Sequence, residues 1–81
     1  MAEIEIPAQL RADTGGAAAV TVDAANLLAA LRELDHRFDG LGRRLRTGRS
    51  VVVDGVLHPT VGPVPLEPDS HVSFVASVAG G

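Results

Sequence analysis

The stretch Asp23-Ala24-Ala25-Asn26-Leu27-Leu28-Ala29-Ala30-Leu31-Arg32-Glu33-Leu34-Asp35-His36-Arg37-Phe38 decides the fold. Leu27, Leu28, Leu31, Leu34 and Phe38 recur at helical spacing and make one apolar stripe, with Arg32, Glu33 and Arg37 off it. A helix with a single apolar stripe must bury that stripe against another element. Asp23 is placed as its N-cap, where a carboxylate accepts from the free N–H groups of the first turn. Gly40 and Gly42 are expected to stop the helix, and Leu41 and Leu45 to add one short helical turn beyond it.

The flanking segments supply the sheet for this helix to cover. Upstream, Glu3-Ile4-Glu5-Ile6 alternates polar and apolar with the period of a half-buried strand, and Pro7 suits a strand end. Asp13-Thr14-Gly15-Gly16 is expected to be a turn. Ala18 to Val22 then forms a second strand with Val20 and Val22 on one face, so the amino-terminal part makes a hairpin. Downstream, Val51-Val52-Val53-Asp54-Gly55-Val56-Leu57 reads as strand, tight turn, strand, because Asp and Gly both tolerate the positive φ of a two-residue hairpin loop. Pro59, Gly62, Pro63, Pro65 and Pro68 interrupt regular structure. A last strand runs from His71 to Val75 with Val72 and Phe74 on one face. The result is an α+β chain with about five short strands in a mixed sheet on one main helix. By analogy, that is the β-grasp (ubiquitin-like) arrangement, in which the first and last strands lie side by side in the middle.

Composition narrows the possibilities. Eighty-one residues make one small domain, which buries roughly 60–65% of its unfolded surface. The core must be aliphatic, since the chain holds two Phe and neither Tyr nor Trp. Without Cys there is no disulfide framework and no Cys-based zinc site. No basic-then-apolar leader and no apolar run near the ~20 residues of a membrane span is visible. The expectation is a cytoplasmic protein that does not engage membrane. The net charge of −3 argues against nucleic acid as a partner. Every basic side chain is Arg, and Arg43, Arg44, Arg46 and Arg49 cluster. The cluster fits a solvated loop or a docking patch for an acidic partner.

Nothing resembles an active site. His36, His58 and His71 lie far apart and lack metal-motif spacing, so no metal site is expected. The serines have no nucleophile-elbow context, and neither a P-loop nor a G-x-G-x-x-G run is present. Glu67 and Asp69 sit in a Pro-rich turn and read as solvated. The distinctive feature is instead the ending Val78-Ala79-Gly80-Gly81. Gly has no Cβ, so an extended Gly-Gly tail is slim enough to thread a narrow channel and present its carboxylate to another enzyme. A chain with neither Cys nor Lys offers few internal nucleophiles to attack that carboxylate once activated. The division expected is a β-grasp domain over residues 1–77 and a flexible tail over 78–81.

These features together resemble the MoaD/ThiS family of ubiquitin-like sulfur carriers. Ile6-Pro7-Ala8-Gln9-Leu10-Arg11 followed by Gly15 is similar to the first strand and turn of the molybdopterin synthase small subunit. Leu28 to Leu34 with Phe38 resembles the family helix, and Val53-Asp54-Gly55 its Val-Asn-Gly. Pro65-Leu66-Glu67-Pro68-Asp69 with Val72 resembles the approach to its last strand, and Val78-Ala79-Gly80-Gly81 its end. Two features depart from the pattern. Ala76-Ser77 replaces a common Pro-Pro pair, and Pro68-Asp69-Ser70 replaces the usual Gly-Asp turn.

The resemblance implies a carrier protein rather than an enzyme, or a non-catalytic subunit of a molybdopterin synthase-type complex. Gly81 would be adenylated by a ubiquitin-activator-like enzyme using Mg-ATP, with no cofactor on the chain itself. A sulfur donor would convert the adenylate to a thiocarboxylate, and a sulfur-accepting synthase would consume it for molybdopterin, cysteine, thiazole or another product. Val78, Ala79 and Gly80 would thread the partner's active site. Phe74 and Val75 would anchor the base of the tail on the sheet face opposite the helix, although Phe74 equally fits core packing because the two residues face opposite ways. Two alternatives use the same residues differently: a modifier conjugated to target lysines through Gly81, and a non-covalent β-grasp interaction module.

Overall fold

In the computed structural model, which describes residues 1–76, two hairpins flank a central strand. Strand β1 (Ala2–Glu5) pairs antiparallel with β2 (Ala19–Val22), and β3 (Arg49–Val53) pairs antiparallel with β4 (Val56–His58). Strand β5 (His71–Ala76) enters between them, parallel to β1 and antiparallel to β3. The sheet order is β2-β1-β5-β3-β4, so the first and last strands are neighbours at its centre as expected. Helix α1 (Leu27–Arg37) and the short α2 (Leu41–Arg46) cover one face.

The core follows from the two periodicities. Ile4, Val20, Val22, Val51, Val53 and Val72 project from one face of the sheet. They meet Leu27, Ala30, Leu31 and Leu34 of α1 and Leu41 and Leu45 of α2 in one buried cluster. An 11-residue helix is marginal in water by itself. Each fully buried Leu contributes roughly 1.5–3 kcal/mol relative to exposure. Packing therefore holds α1, and propensity only helps.

Four local expectations need correction. The helix begins after Asn26, not Asp23. The Asn26 side chain accepts from the Ala29 N–H at 2.9 Å, and Asp23 lies outside the helix. The intervening residues are drawn into extended pairing with the Pro-rich segment: Leu27 N–H donates to the Val64 carbonyl and Leu66 N–H to the Ala25 carbonyl. The connection between β1 and β2 is also longer than the turn expected at Asp13-Thr14-Gly15-Gly16. A 3-10 segment over Ala8–Thr14 precedes Gly15, which adopts the left-handed conformation. Gly40 ends the first helical region as expected, but Gly42 lies inside α2. A Cβ there would overlap the Leu31 carbonyl, so Gly42 permits the two helices to touch. Finally, Arg43, Arg44 and Arg46 lie on this helix, not in a loop.

The Asp54-Gly55 turn forms as read, with φ of 50° and 85°. The last strand extends one residue past Val75, to Ala76. Residue 77 of the expected domain and residues 78–81 of the expected tail lie outside the described residues. No described helix is long and apolar enough to cross a membrane.

Candidate functional site

Strand β5 is the element that leads to the carboxyl-terminal residues, and its two ends are held differently. Its start is flanked on both sides: His71 and Val72 pair with Glu3 and Ile4 of β1, and Val72 also pairs with Val53 of β3. A carboxylate adds to this. Asp54 Oδ1 accepts from the His71 backbone N–H and Oδ2 from the Ser70 hydroxyl, both at 2.8 Å. The Ser70 Oγ accepts in turn from the Glu67 N–H at 2.8 Å. The Asp54 N–H donates to the His71 carbonyl and the Glu3 N–H to the Ser70 carbonyl. The His71 backbone N–H, and after it the Ser70 hydroxyl, hold the Asp54 carboxyl below the usual carboxylate range. The turn residue thus ties the hairpin to the start of the central strand.

The other end of β5 is paired on one side only among the described residues. Ser73, Phe74, Val75 and Ala76 match Val52, Val51, Ser50 and Arg49 of β3, while β1 pairing ends at Val72. Alternation separates the two aromatic-aliphatic neighbours. Phe74 is partly buried and packs against the core, whereas Val75 is 43% exposed on the opposite face. Register places Val52 and Leu57 on that open face as well, Leu57 being 57% exposed. Val75, Val52 and Leu57 therefore form an apolar strip on the β4 side of the sheet. On its other side, the same face carries Glu3, Glu5 and His71, with His71 Nε2 3.4 Å from Glu3 Oε1. A face that is apolar towards one edge and charged towards the other suits a partner protein better than a small-molecule substrate.

Of the residues named from sequence, Val75 lies on this open face, and Phe74 lies on the opposite face, partly buried against the core. Val78, Ala79, Gly80 and Gly81 lie outside the described residues. The Asp54–Ser70 link is not legible in the sequence, because it joins residues 16 positions apart and the Asp-Gly turn already explains Asp54. His36, His58 and His71 do not converge, and no group of three or more potential metal-ligating side chains exists among the described residues.

A five-stranded mixed sheet with the first and last strands central and a helix across one face is the β-grasp fold. The chain is similar along its whole length to a chain of the Amycolatopsis orientalis BexX/CysO complex, with 24% identity, all of both chains covered and a TM-score of 0.83. It is also similar to CysO of Mycobacterium tuberculosis, described as an antigen, with 20% identity, 96% of this chain and all of that chain covered, and a TM-score of 0.82. At these identities the likeness establishes the fold. No protein-family model matches the chain, and no curated protein matches its sequence.

Proposed function

We propose that the chain is a sulfur carrier of the MoaD/ThiS type, working through the carboxylate of Gly81. The observation that carries this is the placement of β5: a well-anchored central strand, with an apolar strip beside it on the open face, is followed in the sequence by Ser77 and Val78-Ala79-Gly80-Gly81. The same fold in CysO chains, one of them from a complex with BexX, supports a carrier that works on a partner protein.

The chemistry follows from the carboxylate's inertness. An adenylating partner holding Mg-ATP lets a Gly81 oxygen attack the α-phosphorus, releasing pyrophosphate and leaving an acyl-adenylate. A sulfur nucleophile then adds to the activated carbonyl and expels AMP. If the nucleophile is a persulfide, the product is an acyl disulfide, and a thiol must cleave its S–S bond to free the thiocarboxylate. The thiocarboxylate sulfur is nucleophilic at neutral pH and passes to an acceptor synthase. Gly81 offers no Cβ at the reacting centre, and Val78, Ala79 and Gly80 keep the approach slim. Val75 anchors the base of the tail against the partner, and Phe74 supports it from within the core. The product can be molybdopterin, cysteine, a thiazole or another sulfur compound.

The test is activation by extract of the native cells with Mg-ATP. Gly80 and Gly81 should be required for chain-dependent AMP formation, and Gly81→Ala should suppress it. Wild-type AMP formation by Gly81→Ala would remove the proposed role. Adducts joined to the lysines of larger proteins, with no sulfur at the carboxyl terminus, would make the chain a modifier instead.

A further inference from the structure

The seven arginines divide into two sets. Four are engaged by their side chains. Arg37 pairs with Glu33 at 3.1 Å and Arg44 with Asp13 at 3.2 Å, while Arg11 and Arg49 donate to backbone carbonyls at 3.0 and 2.8 Å. The remaining three, Arg32, Arg43 and Arg46, make no ion pair or side-chain hydrogen bond among the described residues, and all three are exposed. All three line one groove, between α1 and α2. Its floor is Leu28, Leu31 and Gly42, and its single acid, Asp35, already accepts from the Arg43 backbone N–H at 3.0 Å. On a chain of net charge −3, the guanidinium groups with no partner among the described residues are thus gathered around one apolar-floored groove.

We propose that this groove docks an acidic segment of a partner protein, one that sets a leucine-like side chain on the Leu28–Leu31 floor and carboxylates against Arg32, Arg43 and Arg46. The volume, about 170 Å³, admits a side chain or two. It is well below the roughly 300 Å³ at which small-molecule sites begin. The apolar floor favours a peptide over a free anion, which would use the cations and leave the floor uncovered. Guanidinium groups match carboxylates in bidentate geometry, and opposite charge speeds and orients docking. The groove lies on the helix-covered side of the sheet. An occupant there leaves the open face around Val75 free, so the proposal stands apart from the role of Gly81.

The test is a titration of the full-length chain, followed by its backbone amide NMR signals. The probe is the capped peptide Glu-Leu-Glu-Asp-Leu-Glu, against its Gln/Asn counterpart. Shifts confined to α1 and α2 around Leu28, Arg32, Asp35, Arg43 and Arg46, absent with the neutral peptide and diminished by salt, are expected. The combined variant Arg32→Gln/Arg43→Gln/Arg46→Gln should bind roughly tenfold more weakly, and Arg37→Gln should bind as the wild type does. The three single variants show the same effect at smaller size if the combined one does not fold. Equal binding of the neutral peptide, shifts spread over the surface, or unchanged affinity of the Arg variants would overturn the proposal. So would inorganic phosphate or a single-stranded oligothymidine saturating the same signals at lower concentration than the peptide.

Discussion

The two ends of β5 are built to opposite specifications. At its start, His71 and Val72 have strands on both sides, and the Asp54 carboxylate closes the corner through Ser70 and the His71 N–H. At its finish, Ser73 to Ala76 lean on β3 alone, and Val75 faces outward. Hydrogen bonds are dense where the strand enters the core and sparse where it leaves. The entry ties three strands together, while the exit leaves the face that the proposed partner would use uncovered among the described residues. Changes at the entry should therefore move stability, and changes to the outward-facing residues of the exit and beyond should move only the reaction.

The largest separation is expected beyond the exit. Removing Gly80 and Gly81 should reduce AMP formation to background while the thermal midpoint stays at the wild-type value, because two glycines carry no side chain for a core to bury. A matching fall in midpoint would join what the account keeps apart. At the entry, Ser70→Ala removes a buried hydroxyl that both donates to Asp54 and accepts from Glu67. It should cost about 1–3 kcal/mol in a denaturant titration, with AMP formation per folded molecule unchanged.

The contrast can be sharpened within two adjacent residues. Phe74→Ala, on the core side, should cost about 2 kcal/mol, roughly half the effect of truncating a fully buried Phe. Val75→Ser should change stability by less than about 0.5 kcal/mol, yet weaken docking of the activating partner, read as a raised half-saturating concentration of the chain. Equal stability losses at the two positions would contradict the facing assigned to them.

The smallest effect at neutral pH concerns acid. The Asp54 carboxyl titrates below its unfolded value, so its contribution is fully present above the ordinary aspartate range, near pH 4. It is lost as the pH falls through the lower folded value. The denaturant midpoint of the wild type should drop across that interval. Asp54→Asn should start lower and drop less. Parallel curves for the two proteins would remove Asp54 as an acid-sensitive support.

Much of this was legible in the sequence because it is periodic or local. The Leu27–Leu31–Leu34 stripe, the Val20–Val22 and Val72–Phe74 alternations and the Asp54-Gly55 turn each depend on residues within a few positions of one another. What was not legible depends on distant segments. Asp23 is a good capping residue, but the Pro-rich segment around Val64 to Leu66 bonds to Ala25 and Leu27 through an isolated bridge, and the helix cap falls at Asn26. Gly42 looks like a helix stop until Leu31 of the neighbouring helix is seen against it. The four clustered arginines read as one unit. In the fold, Arg44 and Arg49 are engaged elsewhere, and Arg32 joins Arg43 and Arg46 from another helix. At the site, alternation showed that Phe74 and Val75 face opposite ways, but not which of them faces the core.

The most direct measurement is the intact mass of the protein isolated from its native cells without reducing or alkaline treatment. It should be repeated after incubation in extract of those cells with Mg-ATP and a sulfur source. The account predicts a species heavier by the difference between a sulfur and an oxygen atom, with the change confined to the peptide ending in Gly81. An unchanged mass in both preparations, with no chain-dependent AMP formed, would contradict it.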